Sequence, residues 1–244
     1  MSRFLYGVNP VLEAIRAHPH DVVRVLVERG QDGRPSQGAE RVLRIAREAG
    51  IRVEDAHRGE LLRRSSGGVH QGVGAEVSEF RYAALEDVLH AAPPFLAVLD
   101  GVTDPQNLGA LARSAQALGA HGLVVPKDRA AGVTPVAFKA AAGALERLPV
   151  AQVTNLSRAL EDLKEKGVWT VALAADGERD LSQIDLTSGI AIVLGSEGKG
   201  VRPLVRRSCD HVARIPMREG AESLNVAAAG AIAFYEVARQ RAAR

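Results

Sequence analysis

The residues best suited to chemistry lie beyond position 95, in three polar or glycine-rich loops. The first is Asp100-Gly101-Val102-Thr103-Asp104-Pro105-Gln106-Asn107-Leu108-Gly109-Ala110, a turn that leads straight into a helix. Asn107 has the side chain of an N-cap. Arg113 follows six residues later and is expected on roughly the same helical face, aimed at the same pocket. A capped surface helix with a solvated arginine accounts for these residues equally well. The second loop is Leu194-Gly195-Ser196-Glu197-Gly198-Lys199-Gly200-Val201. Its glycines follow an apolar run and let the backbone approach a ligand closely. An ordinary turn with Glu197 and Lys199 in water is the alternative. The third loop runs from Ile215-Pro216-Met217-Arg218 through Glu219-Gly220-Ala221-Glu222 to Ser223-Leu224-Asn225. Ser223 or Asn225 suits the cap of the last helix, a role compatible with chemistry, and the small residues Ala227 to Ala231 allow close packing against that helix.

The elements that must position these loops alternate. Phe95–Leu99, Gly122–Val125, Val150–Val153, Trp169–Ala174, Ile190–Leu194 and His211–Ile215 read as strands. Helices are expected at Asn107–Leu118, Pro135–Leu145, Leu156–Lys166, Arg202–Arg207 and Asn225–Arg241. Apolar strands alternating with helices predict an α/β fold with a mainly parallel sheet covered on both faces. Ligands in such sheets bind beyond the carboxyl ends of the strands, where all three loops fall. Ahead of this, residues 1–75 read as a smaller α/β domain. Its helix start is expected at Gly7-Val8-Asn9-Pro10, with Asn9 as N-cap and Pro10 at the first helical position. A strand at Val22–Val27, a helix at Gly38–Ala49, a short strand at Ile51–Val53 and a helix at Arg58–Arg64 follow. Arg34-Pro35-Ser36-Gln37 forms a polar loop and Ser65 to Gly72 a glycine-rich turn. Residues 76–94 carry less pattern, and Pro93-Pro94 makes them the expected linker to a domain over 95–244.

With 244 residues, 46% of them hydrophobic and 25% charged, the chain can bury a substantial core. A net charge of +2 neither requires nor excludes nucleic acid, whose binding needs a local basic face. One cysteine, Cys209, excludes an internal disulfide and a cysteine-based zinc site, and fits a reducing cytoplasm. Met1 to Pro10 lacks the pattern of a signal peptide, and the apolar runs are strand-sized rather than membrane-spanning. No metal site and no membrane partner are expected. The second loop has neither the Gly-Lys-Ser or Gly-Lys-Thr of a Walker A loop nor the Gly-x-Gly-x-x-Gly of a dinucleotide fold, which weighs against a nucleotide-binding dehydrogenase.

Taken together, the stretches Asp100…Asn107-Leu108-Gly109…Arg113, Gly195-Ser196-Glu197-Gly198 and Ile215-Pro216-Met217…Ser223-Leu224-Asn225-Val226 resemble, in order and spacing, the three motifs of the SpoU (TrmH-type) RNA 2′-O-methyltransferases. Tyr6-Gly7-Val8-Asn9-Pro10-Val11 and His70-Gln71-Gly72 resemble the amino-terminal RNA-binding domain of the branch that modifies a guanosine of large-subunit (23S) ribosomal RNA. The resemblance implies a catalytic domain closed by a C-terminal trefoil knot, S-adenosylmethionine as cofactor, a homodimer whose pocket is completed by the partner chain, and ribosomal RNA as substrate. It implies that Gly195, Ile215 and Leu224 hold the cofactor through backbone groups, and that Asn107, Arg113, Glu197, Ser223 and Asn225 serve catalysis. RNA selection falls to the first domain, where Arg34, Arg63, Arg64 and His70 are the candidates. A transfer-RNA methyltransferase and a non-catalytic assembly protein that binds ribosomal RNA remain alternatives. Arg113 is the family's candidate for activating the ribose hydroxyl. A guanidinium with a pKa above ~12 accepts a proton poorly, so it is better suited to clamping a phosphate and stabilising alkoxide character.

Overall fold

The structure, a computed structural model, describes residues 2–30, 33–218 and 223–243. Residues 219–222 of the third loop lie outside the described residues. The chain forms two compact units, one of Met1–Arg81 with Val133–Arg147 and one of Tyr82–Gly132 with Leu148–Arg244.

The first unit contains β1 (Ser2–Tyr6), α1 (Val8–Ala17), β2 (Val22–Glu28), α2 (Gln37–Glu48), β3 (Val53–Ala56), α3 (Arg58–Arg64), β4 (Val73–Ser78) and α5 (Pro135–Ala141). Its sheet has the order β1-β4-β2-β3, with β4 antiparallel to both neighbours and β2 parallel to β3. The sequence pattern missed β1 and β4, and β4 begins directly after the stretch expected to be a turn and runs into the one expected to be a linker. Helix α1 starts earlier than expected. Its N-cap is Gly7, at φ 95°, a backbone conformation open to glycine, and not Asn9. The Gln71 side chain accepts from the Val8 amide at 3.1 Å, and the Gly7 amide donates to the Val73 carbonyl at 3.1 Å. The two stretches of the amino-terminal resemblance therefore meet at this helix start. Segment 133–147, read from the sequence as part of the following domain, belongs to this unit. The Arg3 guanidinium lies 3.9 Å from the centre of the Phe138 ring and 3.4 Å from Glu146.

The second unit contains β5 (Phe95–Asp100), α4 (Pro105–Ala117), β6 (Gly122–Pro126), β7 (Val150–Val153), α6 (Leu156–Glu165), β8 (Trp169–Leu173), β9 (Arg179–Asp180), β10 (Ile190–Gly195), α7 (Pro203–Arg207), β11 (His211–Arg214) and α8 (Val226–Ala242). Its seven strands are all parallel in the order β7-β6-β5-β10-β8-β11-β9. Strand β5 is buried along its whole length and β10 up to Leu194, as strands covered on both faces must be. Leu156, Leu160 and Leu163 of α6 cover one face with Val205 of α7. On α8, Phe234 packs edge-on against Phe95. A Cβ at Gly230 would lie 2.3 Å from Leu111 and 3.1 Å from Leu194, so the small residue lets α8 approach α4 and β10. Connections run outward from β5 to β6 and β7 on one side, and through β8 and β11 on the other. The direction of winding thus reverses between β5 and β10, the kind of position at which open α/β sheets bind ligands.

Candidate active site

Strands β5 and β10 are paired with Gly195 opposite Asp100, so the first two loops leave the sheet side by side. Asp100 is completely buried. Its carboxylate accepts from the Arg202 amide at 2.7 Å and from Arg202 Nε at 2.6 Å. A buried carboxylate needs such donors, and here they pull the far end of the Gly195–Val201 loop back onto β5. Inside that loop Ser196 and Gly200 exchange backbone hydrogen bonds of 3.1 and 2.9 Å. The turn is so tight that a Cβ on Gly195 would sit 1.9 Å from the Gly200 carbonyl carbon.

Helix α4 begins at Pro105 and is capped by Asp104, whose side chain accepts from the Gln106 amide at 2.9 Å. Asn107 is therefore inside the first turn and not the N-cap. Its side chain is free to reach across the sheet's switch point, where Asn107 Nδ2 donates to Glu197 Oε1 at 2.9 Å. Asn225 does cap α8, its Oδ1 accepting from the Ala227 and Ala228 amides at 2.9 and 3.3 Å. With Oδ1 committed to the helix, Asn225 Nδ2 donates to Glu197 Oε1 at 2.6 Å and to Asn107 Oδ1 at 3.2 Å. Cap and site contact are thus one residue's two ends, and Asn107 and Asn225 hold the Glu197 carboxylate from two directions through the same oxygen, its second oxygen having no hydrogen bond among the described residues.

Arg113 does not join this cluster. Six residues along a helix turn the side chain about 120° away from Asn107, so the expected common face was wrong. Arg113 is exposed, and among the described residues its side chain has no ion pair and does not border the cavity below.

A cavity of about 350 Å³ opens beyond the carboxyl ends of β8, β10 and β11. Gly195, Ile215 and Leu224, the expected cofactor residues, all line it, as do Glu197 and Ser223. Leu173, Ala174 and Met217 contribute apolar wall. The sequence reading missed Asp176 and Arg206, which also border the cavity and are paired, Arg206 Nη1 donating to both Asp176 oxygens at 2.9 Å. A carboxylate three residues after the end of β8, followed at once by Gly177, was the available signal, but no recognised motif covered that loop. Cys209 packs against the apolar core and does not border the cavity, and burial pushes its thiol up to about 12. Among the described residues no group of His, Cys, Asp or Glu is placed to hold a metal ion, and no helix is long and apolar enough to cross a membrane.

The expected RNA-binding residues of the first unit divide. His70 is buried and its Nδ1 accepts from the Gly72 amide at 3.1 Å. Arg64 pairs with Glu76 and lies 4.5 Å from the centre of the Phe4 ring. Both are used by the fold. Arg34 and Arg63 are exposed.

Known proteins place this geometry. Residues 94–235 match the family model of the SpoU rRNA Methylase family, and residues 4–83 match the model for RNA 2′-O ribose methyltransferase substrate binding. The chain is 42% identical over 242 residues to the 23S rRNA (guanosine-2′-O-)-methyltransferase RlmB of Pseudomonas putida, covering 97% of this chain and 96% of that one. It is 44% identical over 244 residues to the RlmB of Coxiella burnetii, covering 98% and 96%. The crystal structure of the SpoU methyltransferase AviRb from Streptomyces viridochromogenes, in complex with AdoMet, superposes with a TM-score of 0.84 at 28% identity, over 100% of this chain and 92% of that one. With both of its parts matched and relatives this similar along nearly its whole length, the chain belongs to the SpoU rRNA methylase family.

Proposed function

We propose that this protein transfers a methyl group from S-adenosylmethionine to the ribose 2′-oxygen of a guanosine in 23S ribosomal RNA. The observation that carries this is the convergence of Gly195, Ile215 and Leu224 on one cavity whose Glu197 is held by Asn107 and Asn225. The cavity fits the cofactor. Its volume suits a nucleoside-sized ligand, its wall is largely apolar, and the tight Gly195–Gly200 turn offers backbone at close range. When bound there, the cofactor supplies an electrophilic methyl on a sulfonium. The protein's task is to align the 2′-oxygen with that methyl and to remove its proton. Leu173, Ile215, Met217 and Leu224 exclude water, which favours loss of the positive charge in the transition state. Glu197, pinned by two amides, keeps one oxygen free to orient the ribose or an incoming guanidinium. Ser223 hydrogen-bonds the substrate or shapes the cofactor loop.

Among the described residues the Arg113 guanidinium has no ion pair, and it is suited to clamping the phosphate next to the reacting ribose. It reaches the cavity of a second copy of the chain in a homodimer. Ile232 and Tyr235, 43% and 58% exposed on α8, support such a dimer as an apolar face wanting cover. A trefoil knot in the last part of the chain is in keeping with β10 inserted between β5 and β8 and β11 inserted between β8 and β9. The first unit selects the RNA, with Arg34 and Arg63 on its surface, and the cytoplasm, where ribosomal RNA is modified, is the site of action.

The test is methyl transfer from labelled cofactor to protein-free 23S ribosomal RNA, mapped by ribose-methylation-sensitive cleavage. A single 2′-O-methylguanosine is expected from the wild type and none from Arg113→Ala. Label on a base, no label on this RNA, or an unchanged rate with Arg113→Ala contradicts the proposal.

A further inference from the structure

Arginine is used in two ways in the first unit. Arg24 binds Glu76 at 2.7 Å and Glu54 at 2.6 Å, Arg64 binds Glu76, Arg3 binds Glu146 and Arg147 binds Glu13. These guanidiniums are consumed in holding the fold. Helix α2 is different. Its buried residues Ala39, Val42, Leu43 and Ala46 face the core, which leaves Arg41, Arg44 and Arg47 on the opposite side at three-residue intervals. At 1.5 Å per residue they span about 9 Å along the axis. Among the described residues Arg41 and Arg47 have no ion pair. Arg44 reaches Glu48 only at 3.9 Å, with the two side chains 68% and 63% exposed, a pair worth little to stability. Beside the stripe a cavity of about 440 Å³ is bordered by Arg44 and Arg47, by Arg29 and Pro35 of the preceding loop, and by Leu43. Glu40 and Glu48 border it too.

We propose that the α2 stripe of Arg41, Arg44 and Arg47 is the surface on which the first unit holds the phosphate backbone of its RNA. The inference rests on the reading of this chain as an RNA methyltransferase, and it moves the expected contact away from Arg64 and His70. The argument is charge complementarity. Arg24, Arg64, Arg3 and Arg147 are held by the fold, whereas Arg41 and Arg47 have no ion pair among the described residues and Arg44 only a long, exposed one. Three guanidinium forks in a row are matched to successive phosphates. The whole of α2 lies within the segment that matches the substrate-binding model. Because Glu40 and Glu48 stand among the arginines, binding depends on individual forks rather than on a broad positive field.

The test measures binding of a 23S ribosomal RNA fragment to the full-length protein across a salt series. Phosphate contacts appear as the slope of log affinity against log salt. The triple variant Arg41→Gln, Arg44→Gln, Arg47→Gln is expected to lower that slope by about two to three units, with S-adenosylhomocysteine binding unchanged. Replacing the same three by Lys retains most of the slope. The pair Glu40→Gln, Glu48→Gln tightens RNA binding at low salt, which keeps the proposal exposed even if the triple variant folds poorly. An unchanged slope in the triple variant, no gain in the glutamate variant, or a loss of slope caused instead by Arg58→Gln with Arg63→Gln overturns the stripe and leaves the methyltransferase reading standing. A wild type that binds neither the RNA nor S-adenosylhomocysteine overturns both.

Discussion

In the second unit the central strands β5 and β10 are apolar almost throughout and the polar groups of the site collect beyond their carboxyl ends, while the ion pair Arg214–Asp180 is confined to the outer strands β11 and β9. In the first unit the charges lie within the sheet, where Arg24 on β2 bridges Glu76 on β4 and Glu54 on β3. The second unit is stabilised by burial on both faces of its central strands, so Asn107, Glu197 and the amide end of Asn225, whose other end caps α8, can be arranged around a cavity. The first unit recruits its polar side chains for structure, and arginines that look available in the sequence prove to be ion-paired. A residue's usefulness for chemistry depends on whether the fold has another claim on it.

Substitutions that respect this division sharpen it, and those that cross it break it. The largest effect is expected from Arg113→Ala, which should lower methyl transfer by about 1000-fold or more while cofactor affinity stays within a few-fold, because among the described residues no ion pair claims this guanidinium and its charge is available to the transition state. Single-turnover kinetics beside a cofactor titration separates the two. Glu197→Gln keeps the hydrogen-bonding shape and removes the charge. It should cost about 10- to 100-fold in kcat with little change in thermal stability, since the group is exposed. Asp100→Asn belongs to both categories. It removes the buried charge that ties Arg202 to β5 and should destabilise the second unit by about 1–3 kcal/mol, read from urea unfolding, with cofactor affinity falling alongside.

The smallest effect is confined to the first unit and to acid. Hydrogen bonds from Arg24 and then Arg64 hold the Glu76 carboxyl at about 2, below its ordinary 4.5. A carboxyl depressed in the folded state stabilises fully above the unfolded value, and that contribution is lost as pH falls from about 4.5 toward 2. Glu76→Gln should flatten this part of the pH dependence of unfolding and leave its shape above pH 4.5 unchanged. A wild type and a variant with parallel curves would show that the pair contributes nothing.

The parallel sheet was legible because runs such as Phe95–Leu99 and Ile190–Leu194 can only be strands buried on both faces. Strands β1 and β4 were not, because Ser2-Arg3 and Glu76 break their apolar runs, Gly74 interrupts the second, and their pairing is set by residues about 70 positions apart. Helix starts were misplaced at Asn9 and Asn107 for one reason. Each is a good capping residue, but the turn geometry was already met upstream, by Gly7 at positive φ and by Asp104 ahead of Pro105. The Asn107–Glu197–Asn225 cluster joins residues 90, 28 and 118 apart, which no local pattern reveals. Only the resemblance of three motifs in order anticipated it. The grouping of 133–147 with the first unit was invisible for the same reason, since it rests on Phe138 and Glu146 meeting Arg3.

The account stands on the cavity beyond β8, β10 and β11 being the cofactor site, and calorimetric titration of S-adenosylhomocysteine into wild type and Gly195→Ala addresses that directly. A Cβ at position 195 would collide with the Gly200 backbone at 1.9 Å and force the turn open. The prediction is saturable binding by the wild type and none detectable in a folded Gly195→Ala variant. Equal binding by both, or none by the wild type, would contradict it.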